Sequence, residues 1–196
     1  MRLIVIIAAS IAAAQGPSAA PQVVLDNAHV RAYRMTADAL ARLEHGAAVV
    51  VSLEDATLGT AVWVEDAAAP ASASKTRGRV VVVFPRHAPP SPPPAAASQP
   101  GEAQFTGMSF KTIFQNERVS AIRARMEVGA REGFHTHASD TVVVHLTGGE
   151  IEDTANGKTV VNRWKRGDVE FEGLGTSHSA RNVAGPVDVV LVALKP

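Results

Sequence analysis

Apolar and polar positions alternate with a period of two along most of this chain, in short Val-rich runs broken by Gly, Pro, Asn and Asp. Between positions 119 and 128, Ile122, Ala124, Met126 and Val128 fall on one face, and Arg123, Arg125 and Glu127 fall on the other. That is the pattern of a strand with one buried side, and it makes the arginine face a solvated one. Further strands are expected at 141–147, 150–154, 159–164, 168–172, 177–183 and 187–194, separated by turns at Gly148-Gly149, Asn156-Gly157, Gly167, Gly173 and Gly185-Pro186. Earlier Val-rich runs at 23–25, 29–35, 47–53, 60–65 and 79–84 read as strands too. Thr36 precedes Leu40 and Leu43 in a way that predicts one short helix over 36–45. The pattern describes an all-β protein whose last 80 or so residues close into a small antiparallel sandwich or barrel.

The chain divides into four parts. Residues 1–20 carry Arg2, an apolar stretch over 3–14 and small residues at Ala12, Ala14, Ser18 and Ala20, which reads as a signal peptide and predicts an exported protein, periplasmic or secreted. The apolar stretch is too short for a stable membrane anchor. Residues 22–84 form a Val-rich β region. Residues 85–104 form a Pro/Ala-rich linker; seven prolines lie between Pro85 and Pro100, too many for a sheet ladder. Residues 105–196 form the second domain. Fragments repeat between the halves: Asn27-Ala-His-Val-Arg-Ala resembles Asn116-Glu-Arg-Val-Ser-Ala, the run from His45 resembles that from His137, and Arg77-Gly-Arg-Val resembles Arg166-Gly-Asp-Val. A duplication with a degenerate first copy would account for them.

Composition narrows the chemistry. The chain has 19 Lys+Arg against 19 Asp+Glu, so binding to nucleic acid through counterion release is not expected. The absence of Cys excludes disulfides, thiolate ligands and thiol nucleophiles. The candidate chemistry therefore lies with histidine. His135 and His137 stand two apart and share a strand face, following what reads as a turn at 129–133; His178 begins another strand that could cross beside them. Three imidazoles facing one way inside an apolar barrel are costly unless something such as a divalent cation satisfies them. His145 also faces inward, farther along its strand, and reads as a satisfied core or rim histidine. Asn182 reads as a turn-closing residue.

These residues resemble the two motifs of the cupin superfamily. Gly129, His135, His137 and Gly148 fall in register with the first motif, and Gly167, Gly175, His178 and Asn182 with the second. The resemblance covers about 105–196. It implies a cupin-type antiparallel β-barrel, or jelly roll, holding one divalent metal through His135, His137 and His178. Fe(II) is favoured, with Zn, Cu, Ni or Mn as alternatives. Thr141 stands where the motif has Glu, and Gly173 where it has Pro. Losing the carboxylate leaves a three-His site of net 2+ charge, one that attracts an anionic ligand. Three-His sites of this family include iron-dependent dioxygenases, so the resemblance implies dioxygenase-like oxidoreductase chemistry on a small molecule, or a non-catalytic module binding a metal or small ligand. Met126, Val128, Phe134, Thr141 and Val143 are the expected pocket wall, no general base stands out, and a homodimer is a family expectation.

Overall fold

The computed structural model describes residues 20–86 and 105–195. The expected signal peptide and nearly all of the Pro/Ala-rich stretch lie outside the described residues. Every paired strand is antiparallel, in two curled sheets, matching the jelly-roll class expected from the sequence. The first sheet contains β1 (Gln22–Asp26), β2 (Val30–Thr36), β3 (Ala48–Ser52), β4 (Ala61–Val64) and β5 (Arg79–Pro85), ordered β1-β2-β5-β3-β4. The second contains β6 (Thr106–Gln115), β7 (Val119–Thr136), β8 (Thr141–His145), β9 (Gly149–Ala155), β10 (Lys158–Trp164), β11 (Val169–Glu172), β12 (Ser177–Ala184) and β13 (Val187–Leu194). Its order is β10-β9-β12-β7-β13-β8-β11, with β6 flanking β7. Among the described residues no helix is long and apolar enough to cross a membrane.

Three local expectations need correcting. The helix over 36–45 is a 3₁₀ helix, Ala37–Arg42, that seats Ala39 and Leu40 in the core. The expected turn at 129–133 is not a turn: β7 runs through it, and Gly129 at φ +85° marks an irregularity where the partners change from β13 to β12. Strand β6 carries little alternation because it pairs only with β7 and leaves most of its side chains exposed. A short helix, α1 (Pro70–Lys75), is a further unexpected element.

The two halves are copies of one pattern. In the first, β1-β2-β5-β3-β4 is hydrogen-bonded in the same order as β6-β7-β13-β8-β11 in the second. Val49 faces Val83 as Val142 faces Val192, and Ala32 faces Val83 as Ala121 faces Val192. Asn27 Oδ1 accepts from the His29 and Val30 amides, as Asn116 Oδ1 accepts from those of Arg118 and Val119. Two repeat fragments read from the sequence thus occupy equivalent places. The third does not: Arg79 on β5 corresponds to Asp188, since Leu53 and Leu146 donate to their respective carbonyls, and the partner of Gly167 is Gly59.

The copies pack through equivalent faces. One buried cluster joins Val30, Ala32, Val49, Val51, Leu53, Val81 and Val83 to Val119, Ala121, Val142, Val144, Leu146, Val190 and Val192, residue for residue. Burying each such Val or Leu is worth about 1.5–3 kcal/mol, so this apolar contact is a major part of what holds the halves. The contact is reciprocal: His29 stacks on Phe171 at 5.8 Å, while the Arg118 guanidinium lies 5.5 Å from the Trp63 ring centre. Arg123 is not on a solvated face. It is paired twice to Asp188, at 2.8 and 2.6 Å, and lies beside Gly59 of the other half.

Beyond this shared face the copies diverge. The second half extends β7 past Gly129 and adds β9, β10 and β12, which curl over a hollow. The first half ends β2 at Thr36 and covers its far side with the 3₁₀ helix, packing Leu40, Leu43 and Ala67 against Val50, Val80 and Val82. Its interior is filled, whereas that of the second half is hollow.

Glycines seal the contact. Gly59 and Gly167 are equivalent, at φ +73° and +84°, and each donates to the strand carbonyl before it, Ser52 or His145. A Cβ on Gly59 would collide with Leu146 Cδ1, and one on Gly167 would lie 3.0 Å from Leu53 Cδ1. Left-handed backbone and overpacking each cost roughly 1–3 kcal/mol. Gly59→Ala is therefore expected to destabilise by about 2–4 kcal/mol, and Gly157→Ala, at φ +71° but with nothing within 4 Å, by only about 1 kcal/mol. Urea denaturation checks the difference; equal losses would mean that Gly59 matters only for its backbone.

Candidate metal centre

Side chains alternate across β8, β11 and β13. One set faces the first half, and the other, Thr141, Val143 and His145 with Glu170, Glu172, Val189 and Leu191, faces a cavity of about 1060 Å³. At one end of the cavity His135 projects from β7, His137 follows the end of that strand, and His178 projects from β12, its Cα opposite that of His135. Their ring centres form a near-equilateral triangle with sides of 4.7, 4.9 and 5.0 Å. One ligand atom from each lies within 4.8 Å of the others, and this is the single such group among the described residues. His29 and His45 lie outside this group.

Hydrogen bonds set the nitrogen that each ring presents. His135 Nδ1–H donates to the Gly133 carbonyl at 2.9 Å, and His178 Nδ1–H donates to Asp153 Oδ1 at 2.9 Å. Both rings therefore turn a bare Nε2 inward when neutral. His137 Nε2 lies 3.1 Å from His178 Nε2. Two bare nitrogens at that distance repel unless a proton or a cation lies between them. Two nitrogens bound at right angles about 2.1 Å from one ion would be about 3 Å apart. Burial and the neighbouring imidazoles push His137 down to about 4, so it stays neutral and able to ligate. The donor set fits a divalent metal.

Carboxylates crowd the same end, which the strand-by-strand reading missed. Glu172 lies directly across β8–β11 from Thr141. Its carboxylate is 3.5 Å from His137 Nδ1 and 4.0 Å from His178 Nε2. Glu132 Oε2 approaches His178 Nε2 at 3.9 Å. Burial, reinforced by Glu170, Glu132 and Asp153, raises Glu172 to about 8, and burial also raises Glu132. The ligand group is the three imidazoles alone, as the motif register implied, but four carboxylates, Glu132, Asp153, Glu170 and Glu172, line the cavity around it, so the surround is not the anion-attracting one expected. Glu172 and Glu170 alternate inward on β11 beside outward-facing Val169 and Phe171, a period-two signal that was available. The expectation of no candidate acid or base falls with it.

Met126, Phe134, Thr141 and Val143 line the cavity; Val128 does not, being 60% exposed just before the Gly129 irregularity. Asn182 Nδ2 donates to the carbonyls of Met126 and Gly185 at 2.8 and 2.7 Å, the backbone-bonding role read for it. His145 is buried but not satisfied: its Nε2 makes no hydrogen bond to the protein.

No family model matches the chain, and no curated protein does. Solved structures do. A cupin domain from Bordetella pertussis Tohama I is 25% identical over 48% of this chain and 99% of its own, with a TM-score of 0.44. A cupin superfamily protein from Desulfitobacterium hafniense DCB-2 is 17% identical over 56% of this chain and 100% of its own, with a TM-score of 0.39. The polyketide cyclase RemF from Streptomyces resistomycificus is 15% identical over 48% of this chain and 69% of its own, with a TM-score of 0.41.

Outer carboxylates that orient a ligating imidazole are typically worth 10–100-fold in metal affinity. Asp153→Asn is expected to weaken Co(II) binding by about that factor, and His178→Ala to abolish it, in calorimetric titration. Unchanged affinity in both variants would remove His178 from the centre.

Proposed function

We propose that residues 105–196 are a cupin that holds one divalent metal through His135, His137 and His178 and acts on a small molecule in the adjoining cavity. The observation that carries this reading is the convergence of three imidazoles, two with their outer nitrogens already committed, on the wall of a cavity of about 1060 Å³. The register of both motifs supports it. A bound metal would supply Lewis acidity and, as Fe(II), one-electron chemistry with O₂. Fe(II) is the proposed ion, and a dioxygenase-like oxidation is the proposed reaction class. The protein's own contribution is to fix the imidazoles by Gly133 and Asp153 and to enclose the substrate with Met126, Phe134 and Val143.

Glu172 favours a second reading. A cavity-facing carboxylate 3.5 Å from a ligating imidazole is placed to take or return a substrate proton, which suits a metal-assisted isomerisation or cyclisation. The proposal also places the protein outside the cytoplasm, on the strength of residues 1–20.

The purified protein is expected to carry close to one equivalent of iron by elemental analysis, lost in a His135→Ala/His178→Ala double variant. Oxygen-electrode screening of the iron form then separates the readings. Substrate-dependent O₂ uptake supports oxidation. Turnover without O₂ that Glu172→Gln abolishes at unchanged metal content supports proton transfer. One equivalent of zinc or copper with no turnover would favour a non-catalytic binding module, and no metal after reconstitution would overturn the proposal.

A further inference from the structure

Away from the three imidazoles, the cavity wall carries a second polar group. His145 lies on β8 four residues beyond Thr141, about 13 Å along the strand at 3.3 Å per residue. It is 1% exposed, lines the cavity and makes no hydrogen bond through Nε2. The ring cannot turn away easily, because it is stacked on Trp164 with centres 4.4 Å apart and planes within 16°. Glu170 lies across from Val143 on β11, and its Oε1 is 3.5 Å from Nε2, without the alignment of a hydrogen bond. A buried ring nitrogen left unpaired is costly, and a ligand can return that cost by completing the bond.

We propose that the cavity binds a neutral, hydroxyl-bearing small molecule whose far end is anchored by His145 and Glu170. This deepens the reading of the cavity as the chamber of the metal centre and rests on it. A hydroxyl both donates and accepts, so one such group can donate to the Glu170 carboxylate and accept from, or share a proton with, His145 Nε2. Neutrality follows from the wall. Glu170 faces the His145 end of the cavity, whereas the Arg125 guanidinium is held by Asp188 at 3.1 Å. A carboxylate or phosphate ligand would meet like charge with no free guanidinium to receive it. Trp164, Phe134 and Met126 supply the apolar surface on which the carbon skeleton of such a molecule would lie.

The test uses matched probes: neutral sugars and polyols of two to twelve carbons, and the aldonates and uronates that differ from them by one carboxylate. Binding is measured by ligand-observed NMR and calorimetry on the full chain, both metal-loaded and chelator-treated. The variants are His145→Phe, which preserves stacking on Trp164, and Glu170→Gln, which preserves shape on a partly exposed side chain. Expected are neutral probes binding wild type at least tenfold more tightly than their acids, and at least a tenfold loss in both variants with metal stoichiometry unchanged. Absence of binding by every neutral probe, acids binding as tightly, or equal affinity in both variants would overturn the proposal. A wild-type protein that binds no metal yet holds neutral probes in a His145-dependent way would overturn the metal reading alone.

Discussion

Strands β8, β11 and β13 each have two faces, and the first half takes one of them. Val142, Val144, Leu146, Val190 and Val192 are committed to the contact between copies, where they meet Val49, Val51, Leu53, Val81 and Val83. Strict alternation then assigns Thr141, Val143, His145, Val189 and Leu191 to the cavity. A slip of one residue would carry His145, Glu170 and Glu172 into the apolar contact and the valines into the hollow, so the register of that cavity wall is fixed by a surface that touches no ligand. That coupling gives the first half a role although it holds no metal-ligating group among its described residues. Its own hollow is filled by Leu40 and Leu43, and its equivalent face is spent on supporting β8, β11 and β13.

This dependence explains why the motif glycine Gly167 matters for reasons that lie outside the barrel. Its positive φ brings the chain against Arg34 and Leu53 of the first half, as Gly59 is brought against Arg123 and Leu146 of the second. The apparent solvated face of β7 is likewise the rim of the same contact, where Arg123 is held by Asp188. From one sequence, a charged alternate face and a partner-facing one look alike, because the pattern records what is polar and not what covers it.

Much of the fold was legible because Val-rich alternation and turn residues are local signals. Twelve strands could be placed near their observed positions, and His135, His137 and His178 could be grouped, since two-residue spacing on a strand and fixed distances to glycines survive in the sequence. What escaped was non-local. β6 is a strand by virtue of its partner β7, with little burial to mark it. Asp153 reaches His178 from the neighbouring strand β9, and Glu172 reaches His137 from β11. His145 was placed correctly on the inner face, but whether an inner histidine is satisfied depends on its cross-strand neighbours.

The vacated motif position shows the same principle acting on charge. Read along β8, replacing a glutamate by Thr141 deletes a negative charge from the site. Read across the sheet, the charge has moved one strand over: Thr141 and Glu172 are opposite partners, and residues so paired share a face with Cβ atoms about 4.5–5.5 Å apart. The carboxylate remains beside the imidazoles but arrives from another direction, 3.5 Å from His137 Nδ1 rather than on the strand that follows it. Together with Glu132 and Asp153 it surrounds the three rings with acceptors. Without a cation, burial keeps Glu172 and His137 neutral despite their proximity, because each would have to carry charge in a poorly hydrated space. A divalent ion among the rings would favour the ionised carboxylates, so the acidic surround and the imidazole cluster are both compatible with a cation there.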